Sequence, residues 1–130
     1  METINFGVHL TIDGYGGDSQ KLNDKKLVFN CLDELPDLLK MKKISEPMVV
    51  EAPGGTEKDS GGYSGFVMIA ESHISCHTFP YRHFVSIDVY TCQGELDQDF
   101  TVNYFKEKFA LQEVEINYIK RGTKFPAGDF

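Results

Sequence analysis

The sequence predicts an α+β protein, a two-layer sandwich in which helices pack on one face of a largely antiparallel sheet. Several short segments alternate apolar and polar residues, which is the pattern of half-buried strands. Two segments instead carry apolar residues at three- and four-residue spacing, as amphipathic helices do, and several strands separate them. The chain has 130 residues, is 41% hydrophobic and contains no linker-like tract, so we expect residues 1–130 to form a single domain.

The first part of the chain predicts a strand followed by a helix. Apolar and polar residues alternate over residues 4–12, and the glycine-rich residues 14–17 predict a turn at the end of this strand. Asp24 is a candidate N-cap for a helix whose apolar face includes Cys31. Pro36 is expected to end or kink that helix, because proline lacks the N–H that an internal turn needs, and residues 38–40 are a possible continuation beyond it.

The rest of the chain predicts five more strands and a second helix. The strands are expected at about residues 48–51, 63–71, 74–79, 83–92 and 114–118. Residues 53–62 are rich in glycine and polar side chains and predict a flexible loop. Asp97 or Asp99 is a candidate N-cap for the second helix. The strand at 83–92 carries polar side chains on one face, so the sheet face away from the helices is expected to need partial cover.

Charge and composition narrow the possible partners. The formal net charge of −7 disfavours contact with a phosphate backbone, so we expect no nucleic-acid partner. No apolar run approaches the roughly 18 residues that span a bilayer, and no leader pattern opens the chain. The three cysteines lack CxxC spacing and predict neither a disulfide framework nor a metal site. We therefore expect a cytoplasmic protein whose acidic surface attracts cationic small molecules.

Reactive side chains are concentrated at the end of one expected core strand. The apolar run of residues 66–70 continues directly into a carboxylate, a serine, two histidines and a cysteine, which are Glu71, Ser72, His73, Cys76 and His77. A core strand has no structural need for so many reactive groups in its continuation. One interpretation is a strand end followed by a polar hairpin, and the other is a catalytic segment.

A family resemblance favours the catalytic interpretation. The motifs that carry it are Gly62-Tyr63-Ser64-Gly65, Ala70-Glu71-Ser72-His73-Ile74, His77-Thr78-Phe79-Pro80 and Ile87-Asp88-Val89-Tyr90-Thr91-Cys92, together with Gly7-x-His9 on the first expected strand. In these motifs the chain closely resembles the small prokaryotic pyruvoyl-dependent S-adenosylmethionine decarboxylase proenzymes. The resemblance covers nearly the whole chain, and the order and spacing of the reactive residues agree with that family.

The resemblance implies that the chain makes its own cofactor by cutting itself. Decarboxylation of an amino acid needs an electron sink, which is commonly a Schiff base between the substrate amine and a carbonyl. By resemblance, the Ser72 hydroxyl attacks the Glu71 carbonyl, and cleavage gives residues 1–71 (the β chain) and residues 72–130 (the α chain). Ser72 becomes a covalent pyruvoyl group at the new N-terminus. A homodimer of processed protomers is expected to decarboxylate S-adenosylmethionine and so supply aminopropyl groups for spermidine synthesis.

Three other residues receive catalytic roles from the same resemblance. His77 matches the base that removes the serine α-proton during processing, and an imidazole can accept a proton near neutral pH. Ser64 matches a hydroxyl that assists processing. Cys92 matches the residue that returns a proton to the decarboxylated carbon. Each has a structural reading as well: a hydrogen-bonding histidine, a turn serine and a small buried residue at a strand end.

The substrate pocket departs from the family pattern. The candidate substrate-binding residues are Phe79, Tyr81 and Glu71. Tyr81 stands where the family commonly has a glutamate that binds the ribose, and a phenol cannot chelate two hydroxyls as a carboxylate does. The aromatic residue expected shortly before Ser64 has no clear counterpart, which leaves Phe79 as a possible stacking partner for the adenine.

These departures keep two alternatives open. One is the same pyruvoyl chemistry on a simpler cationic amino acid, such as arginine or ornithine, because substrate choice depends on the pocket rather than on the cofactor. The other is an uncleaved, non-catalytic homologue with a regulatory or binding role. The joint presence of the four reactive residues, Ser64, Ser72, His77 and Cys92, argues against the second alternative.

Overall fold

A computed structural model describes residues 2–58 and 60–128; Asp59, within the expected loop, lies outside the described residues. The elements follow in the order β1 Thr3–Ile4, β2 Gly7–Tyr15, α1 Ser19–Leu22, α2 Lys25–Leu38, β3 Met48–Ala52, β4 Gly62–Ile69, β5 Ser72–Phe79, β6 Phe84–Thr91, α3 Gln98–Phe109, β7 Glu113–Arg121 and β8 Phe125–Pro126. One turn of 3-10 helix, Pro80–Arg82, joins β5 to β6. No helix in these described ranges is long and apolar enough to cross a bilayer.

Six strands form one fully antiparallel sheet in the order β3-β4-β5-β6-β2-β7, and β1 pairs separately with β8. The core lies between this sheet and the helices. Strands β2 and β6 supply it with alternating apolar side chains that are at most 1% exposed, namely Val8, Leu10, Ile12, Val85, Ile87 and Val89. The expected two-layer α+β sandwich is therefore confirmed, and its sheet is antiparallel throughout.

Both main helices begin at the expected type of cap. The Asp24 carboxylate accepts a hydrogen bond from the Leu27 N–H at 3.1 Å and starts α2. Of the two candidates for α3, Asp97 is the cap, since its carboxylate accepts from the Phe100 N–H at 3.0 Å. Pro36 does not end α2, which continues to Leu38 with the proline ring buried against the core. The ring adds to the apolar face of the last turn, where helical hydrogen bonds are already running out.

Three strand boundaries differ from those expected from the sequence. The segment expected as one strand over residues 4–12 divides into β1 and a longer β2, which continues through Gly14 to Tyr15. The expected strand 63–71 ends at Ile69, and the next begins at Ser72 rather than residue 74. The last strand extends beyond residues 114–118 to cover Glu113–Arg121. Pairing with β2 along its whole length explains this extension, because the partner strand supplies hydrogen bonds that local sequence does not reveal.

The sheet face away from the helices is the open face. Its centre is polar, and its edge near β3 and β4 is apolar and exposed, with Met48, Val50, Phe66 and Met68 between 43% and 68% exposed. Apolar side chains grouped in this way on a sheet face are typical of a surface that another element or protein covers.

Candidate active site

The peptide bond between Glu71 and Ser72 lies at a tight hairpin turn between β4 and β5. Ile69 pairs with Ser72, so only Ala70 and Glu71 form the loop. Glu71 has a φ of +59°, in the left-handed region that non-glycine residues seldom adopt. Two-residue hairpin loops favour glycine, asparagine or aspartate at such positions. The expected scissile carbonyl therefore belongs to a glutamate held in an unfavourable backbone conformation.

Cys92, the first residue after strand β6, contacts the hairpin turn. Its main-chain N–H donates to the Ser72 Oγ at 2.9 Å. Its thiol donates to the Ala70 carbonyl, with an Sγ to O distance of 3.7 Å. Both the serine and the cysteine are partly buried. The structure thus brings together the expected cleavage site and the expected proton donor.

Ser64 and His77 form a second pair, in the middle of the β4–β5 ladder. They occupy opposite positions in the register, and the Ser64 Oγ lies 2.8 Å from the His77 Nδ1. Their side chains point to the open face because the next residue, Gly65, lies directly under α2. A Cβ at Gly65 would meet the Leu32 Cδ1 at 2.6 Å, so the Leu32 side chain would have to shift to admit one.

The two pairs do not meet within one protomer. Ser72 and His77 are five residues apart on β5, which corresponds to about 17 Å along an extended strand. An odd separation also directs the side chains to opposite faces, and Ser72 alternates with the buried Ile74 while His77 lies on the open face. His77 therefore cannot reach the Ser72 α-proton of its own chain in this arrangement.

The expected substrate-binding residues are also separated. Phe79 lines a cavity of about 360 Å³ at the end of the open face, together with Tyr15, Lys58, Arg82 and Phe84. The Phe79 and Phe84 rings lie 5.7 Å apart, and the Phe84 and Tyr15 rings 5.3 Å apart. Arg82 also donates to the Glu57 carbonyl, which ties the 53–61 loop to this cavity.

Tyr81 and Glu71 lie outside that aromatic cavity. Tyr81 is 72% exposed and lines a separate groove beside α1, with Ser19, Gln20 and Asn23. Glu71 is exposed at the hairpin turn, at the opposite end of β5 from Phe79. One protomer therefore does not assemble the three candidate substrate-binding residues into one pocket.

A polar network at the centre of the open face was not assigned from the sequence. The His9 Nε2 lies 3.0 Å from Asp88 Oδ1, and the Ser75 hydroxyl donates to Asp88 Oδ2 at 3.2 Å. The Arg121 guanidinium lies 3.3 Å from the His9 Nδ1. Burial, and then the nearby His9, lower the pKa of His73. The alternation of β6 and the Gly7-x-His9 motif were the sequence signals that could have located this network.

Comparisons with known proteins agree with the fold and with the motifs. Residues 8–122 match the family described as S-adenosylmethionine decarboxylase. An S-adenosylmethionine decarboxylase proenzyme of Pyrococcus furiosus is 34% identical over 124 residues, covering 95% of this chain and 83% of the relative. One of Clostridium botulinum (strain Langeland, type F) is 33% identical over 116 residues, covering 89% of this chain and 94% of the relative.

A solved structure is similar to the whole chain. The adenosylmethionine decarboxylase of Aquifex aeolicus superposes with a TM-score of 0.80 at 23% sequence identity, covering 98% of this chain and 99% of that one. At this identity the similarity establishes the shared fold. The family match and the two proenzyme relatives establish more, and together they show that this chain belongs to the S-adenosylmethionine decarboxylase family.

Proposed function

We propose that this chain is a proenzyme that cleaves itself between Glu71 and Ser72, and that the processed enzyme decarboxylates S-adenosylmethionine. The observation that carries the proposal is the geometry of the hairpin turn. Glu71 has a left-handed backbone, and the adjoining Ser72 hydroxyl is held by Cys92 from the next strand. A strained scissile residue next to a fixed nucleophile is the local arrangement that an intramolecular acyl shift requires.

The first step of processing converts the peptide bond into an ester. The Ser72 Oγ forms a bond to the Glu71 carbonyl carbon, the bond from that carbon to the Ser72 nitrogen breaks, and the hydroxyl proton ends on the released amine. The Cys92 thiol lies against the neighbouring carbonyl, that of Ala70, within the same turn. Relief of the left-handed conformation at Glu71 favours departure from the planar peptide.

The second step needs a base at the Ser72 α-proton, and we propose that a second copy of the chain supplies it. Ser64 and His77 form a hydrogen-bonded pair on the open face, about 17 Å along β5 from their own Ser72. In a homodimer that covers the open face, the pair from one protomer could act on the hairpin turn of the other. The exposed apolar edge of this face supports such an interface, because a partner would bury it.

The pyruvoyl group derived from Ser72 supplies the electron sink for decarboxylation. The residues present fit such a group. Ser72 is the first residue of β5, so a cleaved chain would begin within the sheet and hold its new N-terminus there. The Cys92 thiol lies within the same turn and could donate a proton at the substrate carbon.

The aromatic cavity favours S-adenosylmethionine over arginine or ornithine as substrate. Its aromatic rings offer stacking surfaces for a flat, uncharged purine. Lys58 and Arg82 line the same cavity and would repel a cationic group, so the cavity suits the uncharged adenine better than the guanidinium of arginine or the second ammonium of ornithine, and the sulfonium would have to lie outside it. Phe79 lies two residues beyond His77 on the same face of β5, about 7 Å along the strand from the proposed base.

Two further expectations belong to this proposal. The uncleaved regulatory alternative is less well supported. It does not explain the strained turn at Glu71 or the hydrogen-bonded pairs Ser72 with Cys92 and Ser64 with His77. We also propose that the protein works in the cytoplasm. Cys31, Cys76 and Cys92 are all free thiols, which suits a reducing compartment.

Intact-mass measurement of the purified protein tests the self-cleavage. The expected result is two fragments, 1–71 and 72–130, with the second blocked to N-terminal sequencing. Ser72→Ala should remain a single chain and release no carbon dioxide from S-adenosylmethionine. An active Ser72→Ala protein would overturn the proposed mechanism. Carbon dioxide release should be measured in parallel with arginine and with ornithine.

A further inference from the structure

The main-chain N–H of Cys92 makes an unusual hydrogen bond, because its acceptor is a side-chain oxygen that self-cleavage would consume. Strand β6 ends at Thr91, so the Cys92 N–H lies just beyond the ladder with β5. The last strand pair is His73 with Tyr90, and the Ser72 Oγ then accepts from the Cys92 N–H at 2.9 Å. This oxygen is held by β6 as well as by its own strand.

We propose that the Cys92 N–H is a catalytic group that stabilises the oxygen leaving Ser72 in the second step of processing. This inference rests on the proposed self-cleavage. After the acyl shift, the Ser72 Oγ is the bridging oxygen of the ester with Glu71. It remains bonded to the Ser72 Cβ, whose position the β5–β6 pairing fixes from the next residue onward. The hydrogen bond seen in the uncleaved chain can therefore persist in the ester.

Charge develops on this oxygen as the ester breaks. A base removes the Ser72 α-proton, the electron pair forms a double bond from Cα to Cβ, and the bond from Cβ to Oγ breaks. The oxygen leaves with its bonding pair as part of a new carboxylate on Glu71. Water then hydrolyses the resulting enamine through its imine tautomer and releases ammonia, which leaves the pyruvoyl carbonyl. A hydrogen bond from an N–H strengthens as its acceptor gains negative charge, so the Cys92 N–H favours the elimination over the resting ester.

The main-chain role is separable from the role of the thiol. Cys92→Ala removes the sulfur and keeps the N–H, so it leaves this donor in place. Replacing residue 92 with lactic acid, introduced by nonsense suppression during cell-free synthesis, keeps the methyl side chain and exchanges the N–H for an oxygen. These two variants differ only at the atom in question. Gln93 provides a matched control, since its N–H also donates to a side-chain oxygen, that of Thr91, at 3.1 Å.

The experiment follows ester formation and elimination separately in newly synthesised protein. Hydroxylamine cleaves esters far faster than peptides, so a 1–71 fragment that ends in a hydroxamate reports the intermediate, and a 1–71 fragment formed without hydroxylamine reports the elimination. Lactic acid itself introduces a main-chain ester, and the 1–91 or 1–92 fragment that hydroxylamine releases there is distinguished by its mass. The lactic acid variant at 92 should accumulate the ester and eliminate about 10²- to 10³-fold more slowly than Cys92→Ala, as expected for the loss of one oxyanion donor. Lactic acid at 93 should eliminate at the same rate as Gln93→Ala.

Each outcome bears on one claim. Equal elimination rates for the lactic acid and alanine variants at 92 would overturn the role of the N–H while leaving self-cleavage intact. A variant that never forms the ester would overturn it as well, because the hydrogen bond would then serve folding or the first step. A natural protein that does not cleave at all would overturn the proposed function together with this inference.

Discussion

Replacing Glu71 with glycine tests whether the backbone of the scissile turn drives self-cleavage. At a φ of +59°, a non-glycine residue carries a cost of about 1–2 kcal/mol that glycine avoids. If that energy is released as the peptide leaves planarity, Glu71→Gly stabilises the precursor and slows the acyl shift by about 5- to 30-fold. Glu71→Ala is the matched comparison, because it removes the same carboxylate and keeps the strain.

The assay measures the fraction of newly synthesised protein converted to two fragments over time, for the glycine and the alanine variants. Ala110→Gly is the control for a general gain in stability, since Ala110 has a φ of +52° in an exposed position at the end of α3, beside the end of β2 that is remote from the turn. In a Ser72→Ala background, both glycine variants should raise the free energy of unfolding in urea by about 1 kcal/mol. Only Glu71→Gly should slow cleavage. A Glu71→Gly protein that cleaves as fast as Glu71→Ala would refute the reasoning.

The remaining predictions concern the shared site, the proton donor and the substrate pocket. The Ser72→Ala chain should stay uncleaved when expressed alone, and so should the His77→Ala chain. Coexpression of the two should restore cleavage of the His77→Ala chain, because its partner supplies His77. Failure to cleave in the mixed dimer would rule out a base supplied by the partner. Cys92→Ala should still cleave itself, but its decarboxylation turnover should fall by about 10²- to 10⁴-fold because the proton donor is lost. Protonation at the wrong carbon should then inactivate the pyruvoyl group by transamination. Unchanged turnover would show that Cys92 is a packing residue. Tyr81→Glu should preserve or lower the KM for S-adenosylmethionine; efficient turnover of arginine or ornithine, without activity on S-adenosylmethionine, would reverse the substrate assignment.

The sheet and the helices could be predicted because their patterns reflect burial. Alternation in β2 and β6 follows directly from one buried and one open face, and the aspartate caps follow from unsatisfied N–H groups at helix starts. Strand β7 was predicted too short, since its ends are held by pairing with β2 and not by a pattern of their own. The course of α2 past Pro36 depends likewise on tertiary packing.

The hairpin turn could not be predicted from its residues. Ala70 and Glu71 lack the turn chemistry of a two-residue loop, so the sequence favoured longer strands around an undefined connection. Places where local rules fail are often functional, because the surrounding structure enforces an unfavourable conformation there. The separation of Ser72 from His77 could have been anticipated. Five residues along a strand mean opposite faces and about 17 Å, however close the two stand in the sequence.

The strand order has a consequence for the life of the protein after cleavage. In the six-stranded sheet, β3, β4 and β2 would belong to fragment 1–71, whereas β5, β6 and β7 would belong to fragment 72–130. The fragments would interleave across three strand interfaces, β4–β5, β6–β2 and β2–β7. The precursor folds as one molecule. If the processed protein unfolded, its two fragments would have to associate again before either could refold. Dilution should therefore lower the melting temperature of the processed protein. In Ser72→Ala the two segments stay covalently linked within each protomer, so the part of this dependence that comes from dissociation of the fragments should be absent. The covalent link between the two segments would thus assist folding only before cleavage. After cleavage, fragments that separate on unfolding would not readily refold to the same structure.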